Sequence, residues 1–328
     1  MMEGLREVNP EELPQLLKCL AKYLPHSVTV HGVVNIHLRY QMTEYRIFTP
    51  SQSSSTFVLT IMNDESTSKD DKKQSVSFFW DTEKEEEETV AELLSSAPDI
   101  DWTQPVFFFA CAQHLQSKVE EMKRSGRVGV GRLMPRPMIP SHLFTITRDK
   151  LPAHTPRLPE GFRLGPINTR HAQHLFSHWE YGRLSTLENY TRVLATLPGY
   201  AVYPTQGQDE GEAAGYSLSG AETERDSGAS GEGECEAPPV AWAHLSRVNT
   251  ISNVFTLEGY RRLGLGGAAT LALAAHLLQE EHRVSSHVSG YNYASIKFHE
   301  RLGFTKECPL GWQMFSPPDD ASCPTSTP

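Results

Sequence analysis

The stretch that decides the fold runs from Leu257 to His282: LEGYRRLGLGGAATLALAAHLLQEEH. Arg261 and Arg262 stand before Gly264, Gly266 and Gly267, and an Ala/Leu run that reads as one helix follows. A helix start leaves its first backbone N–H groups without intrahelical acceptors, and the macrodipole makes that end electropositive. Glycine lets the backbone approach an oxyanion with no Cβ between them, and arginine adds forked, charged donors. Arg261, Arg262, Leu263, Gly264, Leu265, Gly266 and Gly267 are therefore a candidate anion cradle. Short Gly motifs also arise by chance as plain loops and caps, so the flanking sequence has to decide.

Two phosphate-binding patterns overlap here. Gly264, Gly266 and Ala269 fit the dinucleotide fingerprint G-x-G-x-x-A. That fingerprint needs an acidic residue about twenty positions on, at the end of the next strand. The next strand candidate, RVSSHVSG from Arg283, has no carboxylate. The second pattern is R-x-x-G-x-G at Arg261, Gly264 and Gly266, preceded by the apolar strand SNVFTL. It resembles the acyl-CoA-binding motif of the GCN5-related N-acetyltransferase superfamily, in which the turn wraps the CoA pyrophosphate. The later stretch SSHVSGYNYASIKFHERLGF, with Asn292, Ser295, His299, Gly303 and Phe304, resembles that superfamily's closing strand, helix and LGF turn. Two matches in the right order weigh more than either alone.

Composition narrows the classes. The chain has 328 residues, is 38% hydrophobic and carries a net charge of −10, which suits two packed domains and argues against phosphate-backbone binding of nucleic acid. A local Arg cluster still suffices for one pyrophosphate. Cys19, Cys111, Cys235, Cys308 and Cys323 are scattered with no C-x-x-C pair, so neither a metal framework nor a secreted disulfide framework is expected. No apolar run reaches membrane-spanning length. The opening MMEGLREVNPEELPQLLKCL has early glutamates and no signal-peptide apolar core, and it is a poor mitochondrial presequence.

Along the chain, NPEELPQLLKCLAKYL predicts a helix capped at Asn9, with Pro10 in its first turn. HSVTVHGVVNIHLR, TEYRIFTP, TFVLTIMND and SVSFFW read as strands from their β-branched and aromatic content. Glu65 to Gln74 reads as a charged loop, and TEKEEEETVAELLSS as a helix with an acidic start. DWTQPVFFFACAQHLQSKVEEMKRSG reads as one long helix after Pro105, with its aromatics in packing, and RPMIPSHLFTITRDKLPAHTP as a proline-rich extended segment. Beyond it come a strand (FRLGPI), two helices (from Asn168 and from Leu184) and a strand (YAVYPT). Gln206 to Pro238 is Gly/Ser/Glu-rich and has too little apolar surface to offset its ordering entropy, so it is expected to be a disordered insertion. PPVAWAHLSR and NTISNVFTL then form a hairpin across Val248-Asn249. The expected boundaries are residues 1–140, 141–316 and a frayed tail 317–328. The expected fold class is α/β: an acetyltransferase-type mixed sheet flanked by helices, with a diverged N-terminal α/β domain of similar type.

Several further segments resemble the glycine N-acyltransferase family. They are LKCLAKYLPHSVTVHGVVNIHLR, IDWTQPVFFFACAQHLQ, INTRHAQHLFSHWEYG, PPVAW, FTLEGYRRLGL (with Glu258 where proline is common) and SHVSGYNYASIKFHERLGF. The resemblance implies transfer of an acyl group from acyl-CoA, as co-substrate and without a metal, to the amine of glycine or a similar amino acid. It also implies a mitochondrial location, with the cytoplasm as alternative. The expected partners are acyl-CoA and a small amino-acid acceptor, with no nucleic acid, no membrane span and a monomeric state. A backbone N–H near Phe255, Thr256 and Leu257 would bind the developing oxyanion. The position of His299, tyrosine in many relatives, would hold the acid for the leaving thiolate; a solvent-facing helix histidine is the plainer alternative. Asn292 would pin the CoA arm or its own turn.

The base is where the sequence departs from the family. Relatives place a glutamate eight residues after the strand tryptophan, and eight after Trp242 is Thr250. Threonine does not accept a proton at neutral pH. Strand alternation puts Thr250, Ser252 and Val254 on one face, so Ser252 shares the expected site face; His244 and His287 are the other neighbours. The departure keeps open an alternative: a catalytically weak or inactive acyl-CoA-binding member. A protein-lysine or polyamine acetyltransferase would want an ordered acidic acceptor groove, and the long acidic segment lies in the expected disordered insertion.

Overall fold

The computed structural model describes residues 4–51, 55–62, 74–128, 133–152, 157–182, 185–205 and 237–317. The charged loop before Gln74, residues 206–236 of the expected insertion and the tail from residue 318 lie outside the described residues.

Two halves repeat one order of elements. The first runs β1 (Leu5–Glu7), α1 (Leu13–Ala21), α2 (Val28–Tyr40), β2 (Tyr45–Pro50), β3 (Val58–Met62), β4 (Gln74–Phe79), α3 (Glu87–Ser95), β5 (Val106–Ala112), α4 (Gln113–Arg124), β6 (Met134–Pro135) and β7 (Ile139–Thr147). The second runs β8 (Phe162–Pro166), α5 (Ala172–Ser177), α6 (Leu187–Thr196), β9 (Gly199–Pro204), β10 (Ala241–Leu245), β11 (Thr250–Thr256), α7 (Leu265–Leu277), β12 (Arg283–Ser289), α8 (Tyr293–Arg301) and β13 (Thr305–Ser316). The expected mixed α/β sheet flanked by helices, with a similar N-terminal copy, is the architecture observed.

Three segments differ from their sequence reading. HSVTVHGVVNIHLR forms α2, not a strand; Val28, Val30, Val33, Val34 and Ile36 are all buried. The β-branched content of this run signals burial on several sides, which overrides local propensity. Gly32 permits a close approach: an added Cβ would collide with the Val248 carbonyl in the β10–β11 turn. The expected long helix after Pro105 is instead β5 followed by α4. Strand β5 pairs with β4 on one edge and β13 on the other, and a central strand buried on both faces reads as a continuous apolar run.

All the strands belong to one sheet, ordered β1-β2-β3-β4-β5-β13-β7-β12-β11-β10-β9-β8, with β6 beside β13. The last strands are exchanged between the halves. Strand β7, from the first half, lies between β12 and β13, paired with both. The front of β13 pairs with β7 and its end, Leu310–Phe315, pairs with β5. The stretch read as merely extended is thus a central strand whose partners lie in the other half. Each half has one parallel pair at the same place, β4–β5 and β11–β12.

Candidate functional site

The parallel pair of the second half opens into a cleft. Strands β11 and β12 pair only at Thr250↔Ser285 and Ile251↔Ser286. The Ser286 hydroxyl donates to the Ile251 carbonyl at 3.1 Å and closes the base of the fork. Past that point β11 stays with β10 and β12 stays with β7. Ser252 and His287 are the first residues beyond the fork.

A bulge shapes the β11 side. Trp242 pairs with Phe255 and His244 with Ser252, so β11 carries one extra residue between these pairs. Asn253 takes φ 46° there, a left-handed conformation that asparagine tolerates better than most residues. Its Nδ2 donates to Tyr190 Oη at 2.6 Å; burial raises the Tyr190 pKa, so that hydroxyl stays protonated. The bulge also corrects the expected alternation. Val254 packs in the cluster of Ile251 and Leu265, not on the face of Thr250 and Ser252, while Phe255 stacks on Trp242 at 5.1 Å.

The same register sorts the candidate oxyanion donors. Leu257 N donates to Val240 O at 2.9 Å, so the Leu257 amide is already committed, contrary to its place in the expected set. Donor direction alternates along an antiparallel strand. Phe255 N therefore also points to β10, and the Thr256 amide points to the opposite edge, into the cleft.

The segment expected to cradle an anion lies at the end of β11. After Leu257, a 3-10 turn at Glu258–Tyr260 leads to exposed Arg261 and Arg262. Arg261 Nε donates to Thr256 O at 3.2 Å. Gly264, at φ 78°, is the N-cap of α7. Gly266 is needed for contact: an added Cβ would sit 2.7 Å from Thr256 Oγ1. Gly267 would bring one to 3.2 Å from Leu302. The first intrahelical bond at this end runs from Ala268 N to Gly264 O, so the Leu265, Gly266 and Gly267 amides face outward as the helix-start donors. Leu263 is 46% exposed beside them. Residues Arg261 to Gly267 thus lie together at one helix start against β11.

The cradle and the residues past the fork lie on opposite faces of the sheet. Val284, Val288, Phe144 and Ile146 pack with Leu265, Ala269 and Leu273 of α7. Ser285 and His287 alternate with them, and the register places His287 beside Leu143, which packs with Val28 and Ala110 of the first half. A molecule held at the α7 start and threaded between the strands would present its far end to the His287 face.

The remaining expected residues are distributed as follows. Thr250 is buried, its Oγ1 2.8 Å from Ser246 Oγ in the hairpin turn. Ser252 is half-buried at the fork. His299 is 2% exposed and not solvent-facing. It sits among Phe144, Phe298 and Phe304, its Nδ1 is 2.8 Å from Ser295 O, and burial lowers its pKa. Asn292 accepts from Ser295 N at 2.9 Å, so its side chain caps α8. His244 is one strand away from the cleft; its Nδ1 meets Leu245 O at 2.9 Å, its ring packs on Tyr190, and burial pushes it down to about 4.

Sequence reasoning missed the aromatic wall beside the fork. Phe109 of β5 lies 6.3 Å from the His287 ring and stacks on Trp312 of β13 at 5.9 Å. Tyr181 meets Trp312 edge-on at 5.9 Å. Phe109 escaped notice because its segment reads as a helix, in which strand alternation is not looked for. Among the described residues there is no cluster of metal-ligating side chains, and no helix is long and apolar enough to cross a membrane.

Comparisons with known proteins fit this geometry. A family model described as FR47-like protein matches residues 236–312, from β10 into β13. No curated protein matches the chain. Among solved structures, a Drosophila protein determined as a structural-genomics target superposes with TM-score 0.73 at 15% identity, covering 95% of this chain and 98% of its own. A tandem GNAT protein from the clavulanic acid biosynthesis pathway, solved without acetyl-CoA, gives 0.55 at 13% identity, covering 96% and 99%. A GCN5-related N-acetyltransferase from Sphaerobacter thermophilus gives 0.54 at 13%, covering 96% of each chain. At these identities the likeness establishes the fold: this chain has the acetyltransferase-type architecture along nearly its whole length.

Proposed function

We propose that the protein is an acyl-CoA-dependent N-acyltransferase acting on the amine of glycine or a similar amino acid. One observation carries the transferase reading: a glycine-lined helix start with two arginines stands beside a fork whose bulged strand turns a backbone amide into the opening. The cradle suits a pyrophosphate. The Thr256 amide suits an oxyanion formed on a thioester carbonyl. The amino-acid acceptor rests on the resemblance to glycine N-acyltransferases, as does a mitochondrial location. The two halves divide the work: the half that begins at β8 holds acyl-CoA, and Phe109 of the first half joins Trp312 and Tyr181 in a wall on the far side of the fork.

A second reading keeps the cradle without turnover, as an acyl-CoA-binding protein. It draws on Thr250, which occupies the glutamate position and spends its hydroxyl on Ser246. Free-thiol release from benzoyl-CoA and from a longer acyl-CoA, with glycine, glutamine or no acceptor, separates the two. The transferase reading expects release that depends on the acceptor. Tight binding of both thioesters with no acceptor-dependent release would establish the binding protein instead.

A further inference from the structure

We propose that His287 accepts the proton of the attacking amine, in place of the carboxylate that Thr250 does not supply; the assignment rests on the transferase reading above. His287 is the first β12 residue past the fork, and it is flanked across the opening by Ser252. It shares a sheet face with Ser285, which pairs with Thr250, so an imidazole two residues along β12 reaches the side of the cleft that a base on β11 would serve. Both of its ring nitrogens are shut off from solvent and have no partner among the described residues. A buried polar group left unbonded is costly, and such a group calls for a ligand or a chemical role.

The other candidates are spoken for or badly placed. Thr250 is bonded to Ser246. The Tyr190 hydroxyl takes the Asn253 amide hydrogen. His244 lies a strand away: its Nδ1 holds Leu245 O and its Nε2, also without a partner, stands on β10 outside the fork. His299 has an unpartnered Nε2 as well, but it lies under the opposite face, with Nδ1 tied to Ser295 O. Burial alone pushes His287 down to about 4, which keeps it neutral and able to accept a proton. An oxyanion developing in the cleft raises the affinity of a nearby imidazole for that proton as the reaction proceeds.

The step balances as follows. The neutral amine nitrogen attacks the thioester carbonyl carbon, a C–N bond forms, and the carbonyl electron pair moves to oxygen. The N–H proton passes to an imidazole nitrogen of His287. The carbonyl re-forms, the C–S bond breaks, and CoA leaves as a thiolate that takes up one proton. Amine plus thioester becomes amide plus thiol.

The test uses the full chain and its His287→Gln variant, which keeps a polar side chain and loses the proton acceptor. Benzoyl-CoA affinity is measured by calorimetry and turnover with glycine by thiol release. The expected result is a benzoyl-CoA Kd within twofold of wild type and a kcat lower by about 100-fold or more. Partial recovery is expected when imidazole is added to His287→Ala, a readout that a purely structural role would not move. Equal turnover in wild type and variant, or loss of turnover in His287→Ala that imidazole leaves untouched, overturns the assignment while the transferase reading stands. Binding without turnover by the wild type itself overturns that reading, and the assignment with it. If His287→Gln lowers the melting temperature, His287→Asn provides the same comparison.

Discussion

The two halves carry the same fork and use it differently. In the first half, β4 and β5 pair from Gln74↔Val106 to Val76↔Phe108, and the Ser77 hydroxyl reaches across to Phe109 O at 2.7 Å, much as Ser286 closes the other fork. There the likeness ends. Phe78 packs on Phe108 and Trp80 at 5.1 and 5.5 Å, and Phe79 on Tyr23 at 5.2 Å. Helix α3 begins with Glu87 and Glu88, and Lys118 holds Glu87 at 2.6 Å. Carboxylates already satisfy the positive end of that helix and repel an incoming phosphate. The second half has Gly264, Gly266 and Gly267 with two arginines at the equivalent start. One scaffold thus gives a filled fork that lends packing and an open fork that can hold a ligand; the residues at the helix start and inside the fork make the difference.

The largest way to break this contrast is Gly266→Val. Its Cβ meets Thr256 Oγ1, so either the Thr256 side chain turns away or α7 lifts from β11. We expect loss of acyl-CoA binding by calorimetry and a stability cost of about 1–3 kcal/mol. Glu88→Ala, at the matching helix start of the first half, should change neither. Next in size is the pair Arg261→Ala with Arg262→Ala. Charge-assisted hydrogen bonds contribute about 1.5–3 kcal/mol each, so benzoyl-CoA affinity should fall by at least about tenfold with the melting temperature unchanged. An unaltered affinity would remove the cradle from the mechanism.

Phe109→Leu sharpens the comparison from the other side. If the first half supplies only the acceptor wall, the variant should raise KM for the amino acid several-fold and leave benzoyl-CoA affinity alone. A shift in acyl-CoA affinity instead would mean that the wall touches the acyl chain.

Smallest at neutral pH, and growing as the solution is acidified, is a pH dependence of stability. Burial pushes His31 of the first half, and His244 and His287 of the second, down to about 4; Arg283 adds to the effect on His31. Unfolded histidine takes its proton near 6.5. Between about 6.5 and 4 the unfolded chain therefore binds more protons than the folded one. Stability should hold above that window and decline as pH falls through it, read from urea midpoints. Removing His31 and His287 together should flatten the slope.

Sequence alone determined the second half in outline: the hairpin at Val248-Asn249, the Gly/Arg cradle, α7, β12 and α8. These signals are local. A glycine at positive φ, a helix start with its free amides, and an asparagine capping α8 each act within a few residues. Helix α2 and strand β5 were misread because both are buried on more than one side, and burial erases the periodicity that separates helix from strand. Only the tertiary structure decided the rest. The exchange of β7 and β13 joins residues far apart in the chain. The bulge at Asn253 reverses the facing of Val254. The placement of three histidines sorts them: His244 tied within the sheet, His299 tied to its own helix, His287 unbonded at the fork. Whether a side chain is left without a partner depends on every element packed around it, and that information is spread over both halves of the chain.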